Sequence, residues 1–553
     1  MINMTNKDLA DLIFPNVTKT IEDYEKMYPE RNLKEGAVVS RFAPSPTGFV
    51  HMGSLLTTLI EKKVPKETDG VFYLRIEDTD QKRSVENGIK GIVDDLKNFE
   101  IEIDEGVISE TKQIGAYGPY IQSERKEIYE TYAKYLIENG YAYPCFCSEE
   151  EIENIRVIQE ASKERIGYYG HWAKCRDLSN EERIRRIKNG EKYIIRFKSP
   201  GNFENKVVFN DLVRGQIEFP ENDLDIVLIK SDGLPLYHFA HVVDDHLMHT
   251  THVLRGEEWV SSVPVHLQLF KVFGFKVPKY AHLGLVMKID EDGTRRKLSK
   301  RKDPEAAVSY YSELGIPVDA VKLYLMTIAN SNFEAWYSAN PDKTIDDFKF
   351  DFKKMSASGS LFDIDKLKNI SKNYISRLKA SEVYDNLVKW AIVYDKDFYD
   401  LITKYKDYTI NILNIEREQK KPRKDYESYS SIKKQIWYMY DELFDSYDKN
   451  YEWQNISDLN EIKNILNEYF KNYYDESYDK DTWFDKMKEL ATSLGYASEV
   501  KEYKLNTDKY KGHIGDISMV IRVGLTTKSM TPDLYEIMKL LGINRMKDRI
   551  NRL

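Results

Sequence analysis

Leu9, Leu12 and Ile13, followed by Ile21 and Tyr24, recur at helical spacing, so residues 5–33 read as a helical preface. The pattern then changes. A short apolar run at 38–42 ends in a loop rich in Pro, Ser, Thr and Gly, helical spacing resumes over 54–61, and 71–76 is as dense in large apolar residues as a buried strand. This strand–loop–helix–strand order opens a nucleotide-binding α/β unit. Two further strand candidates lie at 225–229 and 251–255. Between the halves, 141–224 carries strand-like runs of its own at 193–197, 207–210 and 216–219, and reads as an insertion that splits the fold. Beyond about residue 310 strand signals fade, and helical patterns rich in Lys, Asp, Tyr, Ile and Asn run to the end without an internal repeat.

Composition adds bounds. A chain of 553 residues implies several domains, and 41% hydrophobic with 31% charged residues fits a soluble globular protein. Apolar stretches such as 323–329 are too short to span a bilayer, and the first residues (Asn, Thr, Lys, Asp) lack the apolar core of a signal peptide, so a cytoplasmic location and no membrane partner are expected. The formal net charge of −9 weighs mildly against nucleic-acid binding, but RNA responds to local patches rather than to the sum. Basic clusters at 295–302 and 420–424 exist, and each taken alone is a solvated surface run.

Two segments change that picture. In Pro44-Ser45-Pro46-Thr47-Gly48-Phe49-Val50-His51-Met52-Gly53-Ser54 the prolines fix the loop, the glycines allow close backbone approach, and a helix begins near Ser54. A helix N-terminus offers unpaired N–H groups and a positive dipole end to phosphate. In Lys297-Leu298-Ser299-Lys300-Arg301 two lysines three apart can reach a polyphosphate as point charges. Separately these are a capped turn and a basic run. Together, in this order and at opposite ends of a split α/β domain, they resemble the signature pair of class I aminoacyl-tRNA synthetases. Met52 stands where Ile is usual, and Leu298 and Arg301 replace Met and Ser.

Further blocks resemble the glutamate/glutamine branch: residues 41–48, 74–80, 118–125, 237–246 and 254–259. The absence of β-barrel patterning after 311 and the terminal stretch 522–542 resemble bacterial-type glutamyl-tRNA synthetases. That resemblance implies an α/β split Rossmann-type nucleotide-binding domain with an inserted acceptor-binding domain, followed by an all-helical C-terminal anticodon-binding region. The expected divisions are an N-terminal helical extension at 1–37, Rossmann halves at 38–140 and 225–310, the insertion at 141–224, a stem-contact helical domain at 311–380 and an anticodon-binding region at 381–553. It also implies ATP-dependent activation of L-glutamate to glutamyl-adenylate, with Mg2+ on the phosphates, and transfer to the terminal ribose of tRNA(Glu), by an enzyme usually monomeric. His51, Lys297 and Lys300 would be catalytic. Pro44, Thr47, Gly48, Gly53, Ser54, Ser299 and Arg301 would join them in holding ATP. Arg41 and Arg255 would take the substrate carboxylates, Glu77 the ammonium and Tyr237 the side-chain carboxylate; bidentate guanidinium contacts suit a dicarboxylate. Ala43, Ser45, His241 and Glu258 complete the substrate set, with His241 standing where bacterial relatives have Asn.

All three cysteines, Cys145, Cys147 and Cys175, fall in the insertion. Thiolates and imidazole are natural zinc ligands, and four close a tetrahedral site. Some family members resemble this arrangement, which implies one structural zinc with His171 in the fourth position and Tyr169 as the other candidate. Other readings are a form that also charges tRNA(Gln) with glutamate, a glutaminyl enzyme, a short tRNA-modifying relative, a nucleotidylyltransferase, and a non-catalytic RNA-binding module. The long C-terminal half disfavours the modifying relative. The Arg41, Glu77 and Arg255 set disfavours the nucleotidylyltransferase, and retained His51 and Lys300 disfavour the non-catalytic module.

Overall fold

The computed structural model describes residues 4–299 and 301–553; the catalytic expectation for Lys300 lies outside them. The chain forms two compact units. One comprises residues up to 310 with Lys322–Asp363, the other Tyr311–Val321 with Ile364–Leu553.

In the first unit the preface is two short helices, Asn6–Ile13 and Ile21–Met27, each opened by a capping box, Thr5 with Asp8 and Thr20 with Asp23. Their apolar stripes bury Leu9, Ala10 and Tyr24. The strands β1 (Val39–Phe42), β2 (Val71–Leu74), β3 (Glu105–Ser109) and β4 (Lys112–Ile114) form one sheet in that order, parallel up to β3. Helix Met52–Lys66 connects β1 to β2, the crossover that a parallel pair requires. All four residues of β1 are buried, including Arg41, so its guanidinium needs partners in the interior.

β5 (Ala142–Cys145) and β6 (Ile194–Phe197) are antiparallel. After the hairpin of β7 (Lys206–Asp211) and β8 (Gly215–Pro220) comes β9 (Val227–Ile229). The sequence pattern assigns 225–229 to the second nucleotide-binding half. Instead β9 pairs with β6, giving a sheet of order β5-β6-β9. Conversely, β10 (His252–Gly256) and β11 (Lys279–Leu283) pair in parallel, and β11 takes β7 on its other side, for the order β10-β11-β7-β8. The insertion thus contributes a hairpin to the second half. A 3.0 Å backbone hydrogen bond from Thr251 to the Val39 carbonyl sets β10 beside β1. β12 (Val286–Ile289) and β13 (Arg295–Lys297) turn back on each other, and β14 (Ser360–Leu361) flanks β12.

The second unit is helical, with no strand among its described residues. Its core joins Leu387, Ile402, Ile432, Ile465, Met487, Ile517 and Ile537. Trp437 lies inside this core, as its apolar neighbourhood in sequence suggests. No described helix is long and apolar enough to cross a membrane.

Candidate active site

A cavity of about 380 Å³ opens between the C-terminal ends of β1 and β10, the start of helix Met52–Lys66 and the β12–β13 hairpin. His51 is the N-cap of that helix, so the helix begins two residues before Ser54. His51 Nδ1 accepts from the Ser54 amide at 3.0 Å. A Cβ on Gly53 would sit 3.2 Å from the imidazole, so only glycine lets the ring fold back this closely without crowding. The helix N-terminus, the ring and Lys297 face the same space, a geometry suited to a polyanion. Lys297 Nζ lies 3.6 Å from Glu258 Oε1.

Of the expected phosphate-binding residues, Pro44, Thr47, Gly48, His51, Gly53, Ser54 and Lys297 line the cavity. Ser299 and Arg301 do not. The Ser299 amide donates to Asp303 at 2.8 Å and Arg301 is exposed. Arg296 pairs with both Asp303 and Asp290, which pins the root of this loop.

At the other end lie Arg41, Ala43, Ser45, Glu77, Tyr237, Arg255 and Glu258. Arg255 presents five N–H donors. Its Nε donates to His282 Nε2 at 3.0 Å, Nη1 to the Tyr237 hydroxyl at 3.0 Å, and Nη2 to the Trp259 carbonyl and His266 Nδ1, both at 3.3 Å. One Nη1 hydrogen remains. Because the Tyr237 oxygen accepts from Arg255, its own hydrogen is free to donate. Two donors on neighbouring cavity-lining residues are therefore left over, the number that the two oxygens of a carboxylate can accept.

Arg41 Nε reaches both Asp245 oxygens at 3.2 Å and Nη1 donates to the Leu254 carbonyl at 3.3 Å. That leaves Nη2 and one Nη1 hydrogen for a ligand. Arg75 donates to Asp245 at 2.7 Å and to Glu77 at 3.1 Å. Burial pushes the Asp245 carboxyl up, but Arg41 and Arg75 together hold it well below the ordinary range. Burial raises the carboxyls of Glu77 and of cavity-lining Glu61. Glu61 is 2% exposed and its Oε2 has no hydrogen-bond partner among the described residues.

His241 is a correction. It is fully buried and lies behind the cavity wall, its ring stacked 5.6 Å from that of Tyr237 and its Nε2 3.2 Å from the Tyr280 hydroxyl. Burial lowers its pKa to about 3, so the ring is neutral packing under Tyr237. The sequence reading also assigns no role to Asp245 or Arg75. Their signal was two adjacent acids, Asp244 and Asp245, on the helix Tyr237–Leu247, which buries both and therefore requires partners such as Arg75 and Arg125.

The three sulfurs of Cys145, Cys147 and Cys175 lie within 4.8 Å of one another, with Cys147 and Cys175 at 3.7 Å. Neither expected fourth ligand joins them. His171 is exposed, its ring tilted against that of Trp172 at 4.5 Å, and the Tyr169 hydroxyl donates to the Arg165 carbonyl at 2.7 Å. Tyr168 fills the place, its hydroxyl 3.4 Å from Cys145 Sγ and 3.3 Å from Cys147 Sγ.

Residues 37–369 match the family model for tRNA synthetases class I (E and Q), catalytic domain, and 423–553 match the anticodon binding domain. The glutamate–tRNA ligase of Clostridium perfringens strain 13 is 50% identical over 548 residues, covering 99% of this chain and 100% of that one. The glutamate–tRNA ligase of Acetivibrio thermocellus is 48% identical and covers 100% of both chains. The crystal structure of a glutamate tRNA ligase from Elizabethkingia meningosepticum in complex with its amino acid superposes with a TM-score of 0.74 at 25% identity, covering 93% of this chain and 99% of that one.

Proposed function

The chain belongs to the class I tRNA synthetases for glutamate and glutamine, and from that premise we propose how its cavity makes glutamyl-tRNA. It is a glutamate–tRNA ligase, acting on glutamate, ATP and tRNA. One observation supports the assignment of the amino-acid end: Arg255 and Tyr237, hydrogen-bonded to each other in the cavity lining, keep one N–H and one O–H unspent. A glutamate side-chain carboxylate accepts both. The amide of glutamine would present its own N–H groups to one of them and leave a buried donor unmatched, which costs about 1–3 kcal/mol. Arg41 takes the α-carboxylate and Glu77 the ammonium, while Arg75 keeps Glu77 in place.

No protein nucleophile is needed. The α-carboxylate attacks the α-phosphorus of ATP, the bond to the β-phosphate oxygen breaks, and pyrophosphate leaves. The helix N-terminus, His51 and Lys297 stabilise charge on the phosphates, and Lys300, three residues on in the sequence, is assigned the same task. Mg2+ supplies charge neutralisation as the phosphates' counterion. Among the described residues, the cavity-lining acids Glu258, Glu61 and Glu77 are paired with Lys297, Arg41 and Arg75. The tRNA 3′-terminal ribose hydroxyl then attacks the activated carbonyl and AMP leaves. The inserted segment holds the acceptor end. In the helical unit, a cavity of about 270 Å³ lined by Arg423, Arg522 and Thr531 together with Glu416 and Asp533 offers guanidinium donors and carboxylate acceptors to an anticodon base. The reaction belongs to the cytoplasm, and the enzyme works as a monomer.

The cysteine cluster fits zinc. Four ligands at roughly 2.3 Å in a tetrahedron place sulfurs roughly 3.7 Å apart, and Cys147 and Cys175 are 3.7 Å apart with a tyrosine oxygen completing the set. Cys145, Cys147, Cys175 and Tyr168 would hold the ion, which would supply structural cross-linking remote from the chemistry.

The deciding experiment measures incorporation of labelled glutamate and glutamine into pure tRNA(Glu) and tRNA(Gln) transcripts. Glutamate on tRNA(Glu) alone is expected. Glutamate on both would identify the form that also serves tRNA(Gln), and glutamine incorporation would overturn the donor-matching argument.

A further inference from the structure

Arg255 is gripped from behind by residues outside every set above. His282, on β11, accepts the Arg255 Nε hydrogen at its Nε2. A guanidinium has no acceptor, so that nitrogen must carry the lone pair and the ring proton sits on Nδ1. Nδ1 then donates to Asp211 Oδ2 at 2.6 Å. Asp211 is itself fixed: its Oδ1 accepts from the Val213 and Arg214 amides, both at 3.0 Å, and its Oδ2 from the His282 amide at 3.1 Å. Both side chains are shielded, with His282 0% and Asp211 3% exposed. Burial holds the imidazole below its ordinary pKa and therefore neutral, the state this bonding pattern requires. The result is a continuous line, carboxylate to imidazole to guanidinium, ending at the one Arg255 hydrogen that faces the cavity.

The start of the line is the notable part. Asp211 ends β7, in the segment that interrupts the nucleotide-binding fold, and Arg214 in the following turn donates to the carbonyls of His282 at 3.3 Å and Ala357 at 2.7 Å. The hairpin is thus bolted to the strand that carries His282, through backbone pairing and side chains alike.

We propose that Asp211 and His282 are positioning residues for glutamate binding: they orient Arg255 for the substrate side-chain carboxylate and make the β7–β8 hairpin a structural part of the amino-acid site. The inference rests on Arg255 as carboxylate ligand. A guanidinium freed at Nε keeps only its Nη contacts to Tyr237, Trp259 and His266, two of them at 3.3 Å, and can tilt so that its outward hydrogen misses the carboxylate beside the Tyr237 hydroxyl. A misplacement of this order at a binding group costs up to about 100-fold.

The test uses the full-length enzyme and steady-state aminoacylation, with KM measured separately for glutamate and ATP. His282→Asn keeps a donor near Asp211 but removes the acceptor from Arg255. It is expected to raise KM for glutamate by about 10- to 100-fold, with KM for ATP within about twofold of the parent. His282→Gln, whose carbonyl reaches the Nε2 position, is expected to recover most of the loss. In an Arg255→Ala background, His282→Asn should add nothing to KM for glutamate. Parallel rises in both KM values, a silent His282→Asn, or a full additional penalty in the Arg255→Ala background would each overturn the positioning role. If Arg255→Ala itself leaves KM for glutamate unchanged, the underlying assignment of Arg255 falls and takes the proposal with it. Should the Asn variant not fold, His282→Phe, which fills similar volume without an acceptor, is held to the same split in KM.

Discussion

Arg41 and Tyr237 both face the cavity, but they are embedded differently, and substitution should separate them. Arg41 shares buried Asp245 with Arg75. Removing it strips a guanidinium from a carboxylate that is fully inside, and breaking such a pair costs about 3–5 kcal/mol. Arg41→Ala is therefore expected to lower the melting temperature markedly as well as to abolish activity. Tyr237→Phe deletes one hydroxyl from a ring that stays packed against Trp259 and His241. Its expected effect is a rise of about tenfold in KM for glutamate, the equivalent of one hydrogen bond to a charged group at about 1.4 kcal/mol, with a smaller drop in melting temperature than Arg41→Ala, from the Arg255 donor left without its hydroxyl acceptor. Calorimetry and steady-state kinetics on the two variants check this. A Tyr237→Phe enzyme with parental KM would remove the hydroxyl from the recognition scheme.

At the level of elements, the cysteine cluster shows what spacing conveys and what it leaves open. Cys-x-Cys at the end of β5, with a third cysteine downstream, announces a sulfur site on sight. The fourth ligand depends on the path of the loop. Gly170, at φ +49, turns the chain so that Tyr168 points in at the sulfurs and His171 points out to solvent. Zinc analysis of the purified protein is expected to give about one equivalent per chain, falling to near zero in Cys147→Ser, and Tyr168→Phe should weaken retention against a chelator while His171→Ala should not. Loss of metal from the His171 variant would reverse the ligand assignment. The strands teach the same lesson. Val38–Phe42 and Val71–Ile76 were visible as short apolar runs beside a Pro/Gly loop, and so was the helix between them. Which sheet β9 joins was not visible, because three apolar residues carry no label for a partner 34 positions upstream, as Ile195 is for Ile229. Nor was the buried scaffold of Asp211, His282 and Asp245, whose partners come from other strands and helices and meet only in the folded chain.

Over the molecule as a whole, nine of the ten histidines lie in the first unit and one, His513, in the second. Burial lowers His238 to about 4 and His241 to about 3, puts His266 well below its ordinary value, and lowers His282 as well. In the unfolded chain each returns to about 6.5, so as pH falls the unfolded state takes up protons first and stability drops. The loss begins near pH 6.5 and continues to about 4 for His238 and about 3 for His241, at up to roughly 1.4 kcal/mol per pH unit for each ring. Calorimetry at pH 7.5, 6 and 5 should show the transition of the first unit moving down faster than that of the second; transitions that fall together would contradict this assignment. The same buried scaffold bears on how the protein is born. Arg41 is separated from Asp245 by 204 residues, and a ribosome adding about 5–20 residues per second spends roughly 10–40 s between them. Throughout that interval the nascent chain carries the strand of Arg41 without the carboxylate that will neutralise it. The catalytic unit therefore cannot complete its buried ion network until the helix bearing Asp245 has left the exit tunnel.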